Sequence, residues 1–276
     1  MKKLVLLLLA FGLAVSAFAR GNNDVSTVEK LKKSGKVRIG VFTDKAPFGY
    51  VDEKGAYQGY DVYFAHRIAK DLIGNENAVE FVPVEAASRV EYLQSNKVDI
   101  ILANFTVTPE RSQVVDFAKP YMKVALGIVS PDTAPVTDIS QLEGKTLIVD
   151  KGTTAELYFT KNHPNIKLLA FDQNTEALNA LKDGRGDALA HDNTFVFAWA
   201  IQNPGFSVGI DSIGSLDTIA PAVQKGNTAL LNWLNNEIEH ILEADFFHKA
   251  YTATLEPVYG NKVDPESVVV EKGVVK

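Results

Sequence analysis

Three short stretches of this chain combine residue types that could hold a small charged molecule. The first is Thr106-Val107-Thr108-Pro109-Glu110-Arg111. Thr108 suits a helix N-cap and Pro109 the first helical position. That puts Arg111 in the first turn, where the helix dipole disfavours a cation. Such an arginine calls for an anion: a bound carboxylate gripped through two parallel hydrogen bonds, or a neighbouring Glu or Asp at the surface. The second is Lys151-Gly152-Thr153-Thr154, between a strand and a helix. Backbone N–H groups at a helix start bind anions, and a glycine lets another backbone come close. The Walker spacing and its lysine are missing, so this is no phosphate loop, and a plain capped turn has the same composition. The third is His191-Asp192, directly after the strand Ala188-Leu189-Ala190. A carboxylate at the carboxyl end of such a strand faces the ligand crevice of a parallel sheet. Asp192 can receive an ammonium group, cap the next helix, or do both. One cation with N–H donors, set against one anion, is what the common part of an α-amino acid requires.

The parts of most enzymes are missing. No cysteine occurs, which excludes disulfides, thiolate-bound zinc, a cysteine nucleophile and a cysteine-linked lipid. His66, His163, His191, His240 and His248 show no paired metal-ligand spacing and read as surface or packing residues. There is no Gly-x-Ser-x-Gly elbow and no Gly-x-Gly-x-x-Gly fingerprint. The reading is of a binding protein with no catalytic residue, no metal and no cofactor. A formal charge of −6 with no basic run makes the chain a poor candidate for nucleic acid or anionic lipid, and neither is expected as a partner.

The elements that must position these residues alternate. Strands are expected at 37–42, 79–84 and 98–103, with helices at 25–33 and 60–72 between or before them. After residue 120 the rhythm restarts: strands at 123–129, 146–149, 166–170, 187–190 and 218–223, and helices at 155–161, 175–182, 195–201 and 228–242. Strands alternating with helices mean α/β sheets with right-handed crossovers. Two such series imply two lobes with the ligand site between them. With 46% apolar and 22% charged residues, the composition is that of a well-packed globular chain.

The N-terminus reads as an export signal. Lys2 and Lys3 precede an apolar run from Leu4 to Val15, and Ala17-Phe18-Ala19 supplies a cleavage site. The run is shorter than the roughly 20 residues a membrane span needs. Residues 1–19 are therefore expected to be removed after Ala19, leaving a periplasmic protein.

Several motifs occur in order: Thr43-Asp44, Gly59-Tyr60-Asp61-Val62, Asn104 to Arg111, Val115-Asp116-Phe117, Lys151 to Thr154, and Gly186 to Asp192. As a set they resemble periplasmic solute-binding protein family 3, the polar amino acid receptors of ABC transporters, over residues 28 to 260. Within that family the stretches 99–106, 119–127 and 246–251 look most like epsilonproteobacterial cysteine-binding proteins. The resemblance implies a two-lobed type II periplasmic binding protein, each lobe a parallel-rich sheet flanked by helices. Lobe 1 would be 25–121 plus 220–260 and lobe 2 122–219, joined by a two-strand hinge near Tyr121 and Ile219. Residues 261–276 would be a loose tail. Arg111, Thr106 and the Thr154 amide would hold the ligand carboxylate and Asp192 the ammonium. Asn104, Asp44, Arg89 and Thr153 complete the implied ligand-binding set. Tyr60, Phe48 and Tyr121 read as core or hinge residues. The implied function is an L-cysteine receptor, monomeric, delivering to an inner-membrane ABC permease. Glutamine, serine and cystine are reserve ligands, and a cyclohexadienyl dehydratase-like enzyme with Asp44 or Glu85 as cleft acid is the alternative. Glutamine-type relatives place aromatic rings over the ligand. Here the loop 43–48 is shortened and Ala86 sits near the second aromatic position.

Overall fold

The structure, a computed structural model, describes residues 26–270. The expected export signal at 1–19 lies outside the described residues.

Two five-stranded sheets organise the chain. Helix α1 (Thr27–Ser34) is capped by Ser26, whose hydroxyl accepts the Glu29 N–H, and it ends at Gly35 in the left-handed region. β1 (Val37–Val41) follows, then a small meander of β2 (Asp44–Lys45), β3 (Gly49–Val51) and β4 (Tyr57–Gln58). Helix α2 (Tyr60–Ile73) buries one face through Tyr60, Phe64, Ile68 and Leu72, at helical spacing. β5 (Val79–Pro83), α3 (Arg89–Gln94), β6 (Ile100–Ile101), α4 (Pro109–Val114) and β7 (Val115–Phe117) bring the chain to the end of its first pass.

The second series contains β8 (Met122–Pro131), β9 (Thr146–Asp150), α5 (Thr154–Asn162), β10 (Lys167–Phe171), α6 (Asn174–Lys182), β11 (Ala188–Asp192), α7 (Asn193–Gln202) and β12 (Phe206–Ile219). The chain then returns through β13 (Ala222–Gln224) to α8 (Thr228–Glu243), α9 (Phe246–Thr254), α10 (Glu256–Tyr259) and α11 (Pro265–Val268).

The first sheet has the order β5-β1-β6-β13-β7 and the second β10-β9-β11-β8-β12. β1 lies parallel to both β5 and β6, and β9 parallel to both β10 and β11. The strands nearest the sheet-to-sheet connections pair antiparallel: β8 with β11 and β12, and β13 with β6 and β7. The chain crosses from the first sheet to the second between Phe117 and Met122 and returns between Ile219 and Ala222. The crossings run side by side, Ala118 N–H donating to Pro221 O (2.9 Å) and Tyr121 N–H to Ile219 O (3.0 Å). Tyr60, Phe48 and Tyr121 are fully buried, and Tyr121 packs on Phe64 and Phe247 beside the crossings.

Three expectations are corrected. The strand at 218–223 is two strands, since the chain changes sheets across Ala220-Pro221. The long β12 was not expected before it. Gly209, Gly214 and three register shifts break its alternation, and it is largely half-exposed or exposed. The loose tail is ordered up to Val270: Val268, Val269 and Val270 each keep 1% exposure, Val269 bridges to Met122, and Val270 N–H donates to Tyr121 O. Apolar valines find cover where the crossings leave Met122 open.

Candidate ligand-binding site

Strands β1 and β6 of the first sheet and β9 and β11 of the second end on loops that meet. Phe105, in the loop after β6, lies against two guanidiniums: Arg89 Cζ is 4.5 Å and Arg111 Cζ 4.8 Å from its ring centre. Arg89 opens α3 and is 3% exposed. It donates through Nε to Ala86 O, through Nη1 to Ala103 O and Asn104 O, and through Nη2 to Gly152 O at 3.1 Å. Arg111 lies in the first turn of α4, where Thr108 Oγ1 caps its N–H and Pro109 starts the helix. It donates through Nη1 to Thr106 O (2.8 Å) and through Nη2 to Gly152 O (2.8 Å). Burial pushes the Arg111 guanidinium down to about 10, and burial together with Arg111 lowers Arg89 as well. Among the described residues neither has a carboxylate partner within ion-pair distance, so two buried cations face the second sheet through a single carbonyl.

Gly152 makes that approach possible. Its φ is +72°, and a Cβ there would lie 2.5 Å from Ala87 Cα. The turn's other expected role changes. Gly152 N–H donates to Glu156 Oε2 (2.7 Å) and Thr153 N–H to Asp150 O, while the Thr153 hydroxyl caps α5 at Glu156 N–H. Two of the amides expected to bind an anion are thus used within the turn, and Thr153 is a capping residue. Thr154, half-buried at the first helical position, keeps an amide its own helix does not need.

Asp192 ends β11 and is 5% exposed. It makes no side-chain cap to α7. Its Oδ2 instead accepts from Lys45 Nζ at 2.7 Å, across from β2. Burial opposes the ionised form, but the Lys45 charge and its hydrogen bond, with Arg89 near by, outweigh it and hold the Asp192 carboxyl below the usual range. His191, read from sequence as a surface or packing residue, is 2% exposed: its Nδ1 accepts the Asp192 N–H (2.6 Å) and its Nε2 lies 3.4 Å from Asp150 Oδ2.

Asn104 and Thr106 line the same loop, 2% and 3% exposed. Asn104 has φ +40°; its N–H donates to Asp61 Oδ2, and its Oδ1 accepts no hydrogen bond among the described residues. Asp44 leaves the set. Its carboxylate accepts from Asn174 Nδ2 (2.9 Å), Thr175 N–H (3.2 Å) and Thr175 Oγ1, at the start of α6. The structure thus gathers Arg89, Arg111, Thr106, Asn104 and Asp192, with Thr154 at the edge, and adds Lys45. Lys45 carried no sequence signal beyond standing in the shortened loop.

Comparison with known proteins places this arrangement. Residues 37–254 match the model of the bacterial extracellular solute-binding proteins, family 3. A solved solute receptor for L-cysteine from Neisseria gonorrhoeae is 59% identical, with 89% of this chain and 100% of that one covered and a TM-score of 0.88. A cysteine-binding protein from Campylobacter jejuni is 56% identical over 90% and 100%, also with a TM-score of 0.88. An ABC transporter glutamine-binding protein of Bacillus subtilis is 30% identical over 230 residues, 82% of this chain and 83% of its own. With its two sheets, paired crossings and arginine-lined crevice, this chain belongs to family 3 of the bacterial extracellular solute-binding proteins.

Proposed function

We propose that this chain is an exported receptor for a free amino acid, L-cysteine before others, which it delivers to an ABC permease. The observation that carries the reading is the Arg89–Arg111 pair. Two buried guanidiniums without a carboxylate leave a cation excess that a ligand carboxylate neutralises in bidentate geometry. Asp192 receives the α-ammonium on the carboxylate it shares with Lys45. Thr106, Asn104 and the Thr154 amide complete the carboxylate end. The lobes are 25–121 plus 220–260 and 122–219, and they close about the two crossings. Cysteine is preferred because the two receptors at 59% and 56% identity bear that ligand in their names. The mature, monomeric protein begins after Ala19 in the periplasm; among the described residues no helix is long and apolar enough to cross a membrane. The receptor reading is also favoured over a dehydratase: Glu85 is exposed and Asp44 is bonded to Asn174 and Thr175, so neither is a buried acid aimed at a substrate.

The test is a thermal-stability scan of the unfolded, washed and refolded protein against the twenty L-amino acids with reductant present. A ligand at about 100 times its dissociation constant adds about 2.7 kcal/mol, which raises the melting temperature by roughly 5–10 °C at this size. A shift confined to cysteine supports the proposal. A shift with a different amino acid overturns cysteine and keeps the receptor, and no shift at all overturns both. In the responsive case Arg111→Ala weakens binding by about 2–5 kcal/mol; a change within about threefold removes Arg111 from the carboxylate end.

A further inference from the structure

Lysine is almost never fully buried unless it is paired, yet Lys45 keeps 1% of its surface exposed. Its ammonium lies 2.7 Å from Asp192 Oδ2 and within 5.3, 5.9 and 5.3 Å of the ring centres of Phe42, Phe48 and Phe195. One N–H is held by the carboxylate and the aromatic faces attract the cation from the other sides. The charge is therefore fixed in place, where an exposed lysine would swing on its stem. The Phe42 ring also lies 5.7 Å from Arg89 Cζ, so Lys45 stands beside the arginine pair at the cleft itself.

Signs and geometry then constrain what the cleft can accept. Arg89, Arg111 and Lys45 bring positive charge, and Asp192 is the carboxylate among them that is held ionised. A zwitterionic amino acid adds one charge of each sign and leaves that balance unchanged. An amino acid with a second ammonium adds a cation that nothing offsets. Lys45 occupies Oδ2 of Asp192, which leaves Oδ1 for the ligand ammonium. Two donors on one carboxylate stand only a few ångströms apart, so ligand atoms beyond the β-carbon enter the field of Lys45.

We propose that Lys45 is a specificity-determining residue that excludes amino acids with cationic side chains, its fixed ammonium occupying the position beside Asp192 that a basic side chain would need. The inference rests on the reading of the cleft as an amino-acid site. At a separation of ~6 Å and an effective dielectric constant of ~20, two unit charges repel enough to lower affinity on the order of 100-fold.

Cysteine and 2,3-diaminopropionate differ by exchange of the thiol for an ammonium and are the probes, titrated by calorimetry at mildly acidic pH into the refolded mature protein, Lys45→Ala and Lys45→Arg. The wild type prefers cysteine on the order of 100-fold. Lys45→Arg keeps that preference, since the charge remains. In Lys45→Ala the ratio falls below about tenfold or inverts, because the diamino acid can place its own ammonium against Asp192. Lys45→Met carries the same comparison if the alanine variant does not fold. A ratio that stays within about threefold of wild type in the neutral variants, or is lost in Lys45→Arg, overturns the proposal. A wild type that binds neither probe nor any other amino acid overturns the amino-acid reading, and the role of Lys45 with it.

Discussion

A charge buried without a partner is costly, and at this cleft each charged residue leans on backbone, aromatic ring or neighbour. Arg89 and Arg111 are carried by carbonyls and by Phe105, and His191 is held neutral by burial and by the Lys45 charge. Because its Nδ1 accepts the Asp192 N–H, the ring proton must sit on Nε2. Burial, and after it the Lys45 charge, pushes the ring down to about 3, while burial raises Asp150 beside it to about 7. Between the ordinary histidine value near 6.5 and about 3, the unfolded chain therefore binds a proton at this position that the folded chain refuses. Stability from His191 is complete above that window and is lost as pH falls through it. In His191→Asn, whose side-chain oxygen can take over the Nδ1 acceptor role, urea unfolding across the window should show an acid limb shallower by up to about 1.4 kcal/mol per pH unit. An unchanged slope would mean that His191 is protonated in the folded state. Arg111 was legible from sequence because its cap, proline and position in the first turn are one local pattern. Lys45 was not, since what buries it are Asp192 and Phe195, some 150 residues away along the chain.

Helix α6 shows how an element can be completed by a distant residue. Its N-cap position, Gln173, makes no side-chain cap, so the first-turn donors need an acceptor from elsewhere. Asp44 supplies it from β2, its carboxylate set at the positive end of the helix dipole. β2 packs with the first sheet's α2 through its meander, and α6 packs on β9, β10 and β11. The cap thus joins the meander of the first sheet to a helix packed on the second, and under the proposed closure about the crossings it is a bond that holds the closed form. Asn174→Asp, which faces Asp44 with a second carboxylate, should raise the ligand dissociation rate about tenfold with little change in association rate. The exchange pair Asp44→Asn with Asn174→Asp should restore it. Stopped-flow release measurements decide; an unrestored double variant means that the bond does not hold the closed form. The helices of both series were readable from apolar spacing. The meander and β12 were not, because a two-residue strand and a strand broken by Gly209 and Gly214 carry no period.

At the scale of the whole molecule, two crossing segments are not the only link between the sheets. After β13 the chain packs α9 against α2 on the first sheet and α10 against α7 on the second, where Tyr259 OH donates to Thr194 O at 2.8 Å. It then lays α11 along β8. Lys123 Nζ donates to Glu266 O (2.7 Å), Tyr251 OH donates to Val263 O (2.8 Å), and Val269 and Val270 bond to Met122 and Tyr121, which belong to the crossing itself. Sequence reading placed this segment outside the fold because its polar, proline-containing start resembles a frayed end. The valines behind that start decide otherwise. Each fully buried valine contributes roughly 1.5–3 kcal/mol, an upper bound for a chain whose unfolded form is partly compact. Truncation after Asn261 removes three of them and uncovers Met122, so it should lower stability by several kcal/mol and the melting temperature by about 10 °C. The crossing loses its outer cover in the same step, so the truncated chain should also bind cysteine more weakly while its ligand preferences stay in the same order, because no residue of the cleft is removed. Thermal unfolding with and without ligand reads both effects. An unchanged melting temperature would show that the crossing is stable on its own, and a changed ligand order would show that this segment shapes the cleft as well as bracing it.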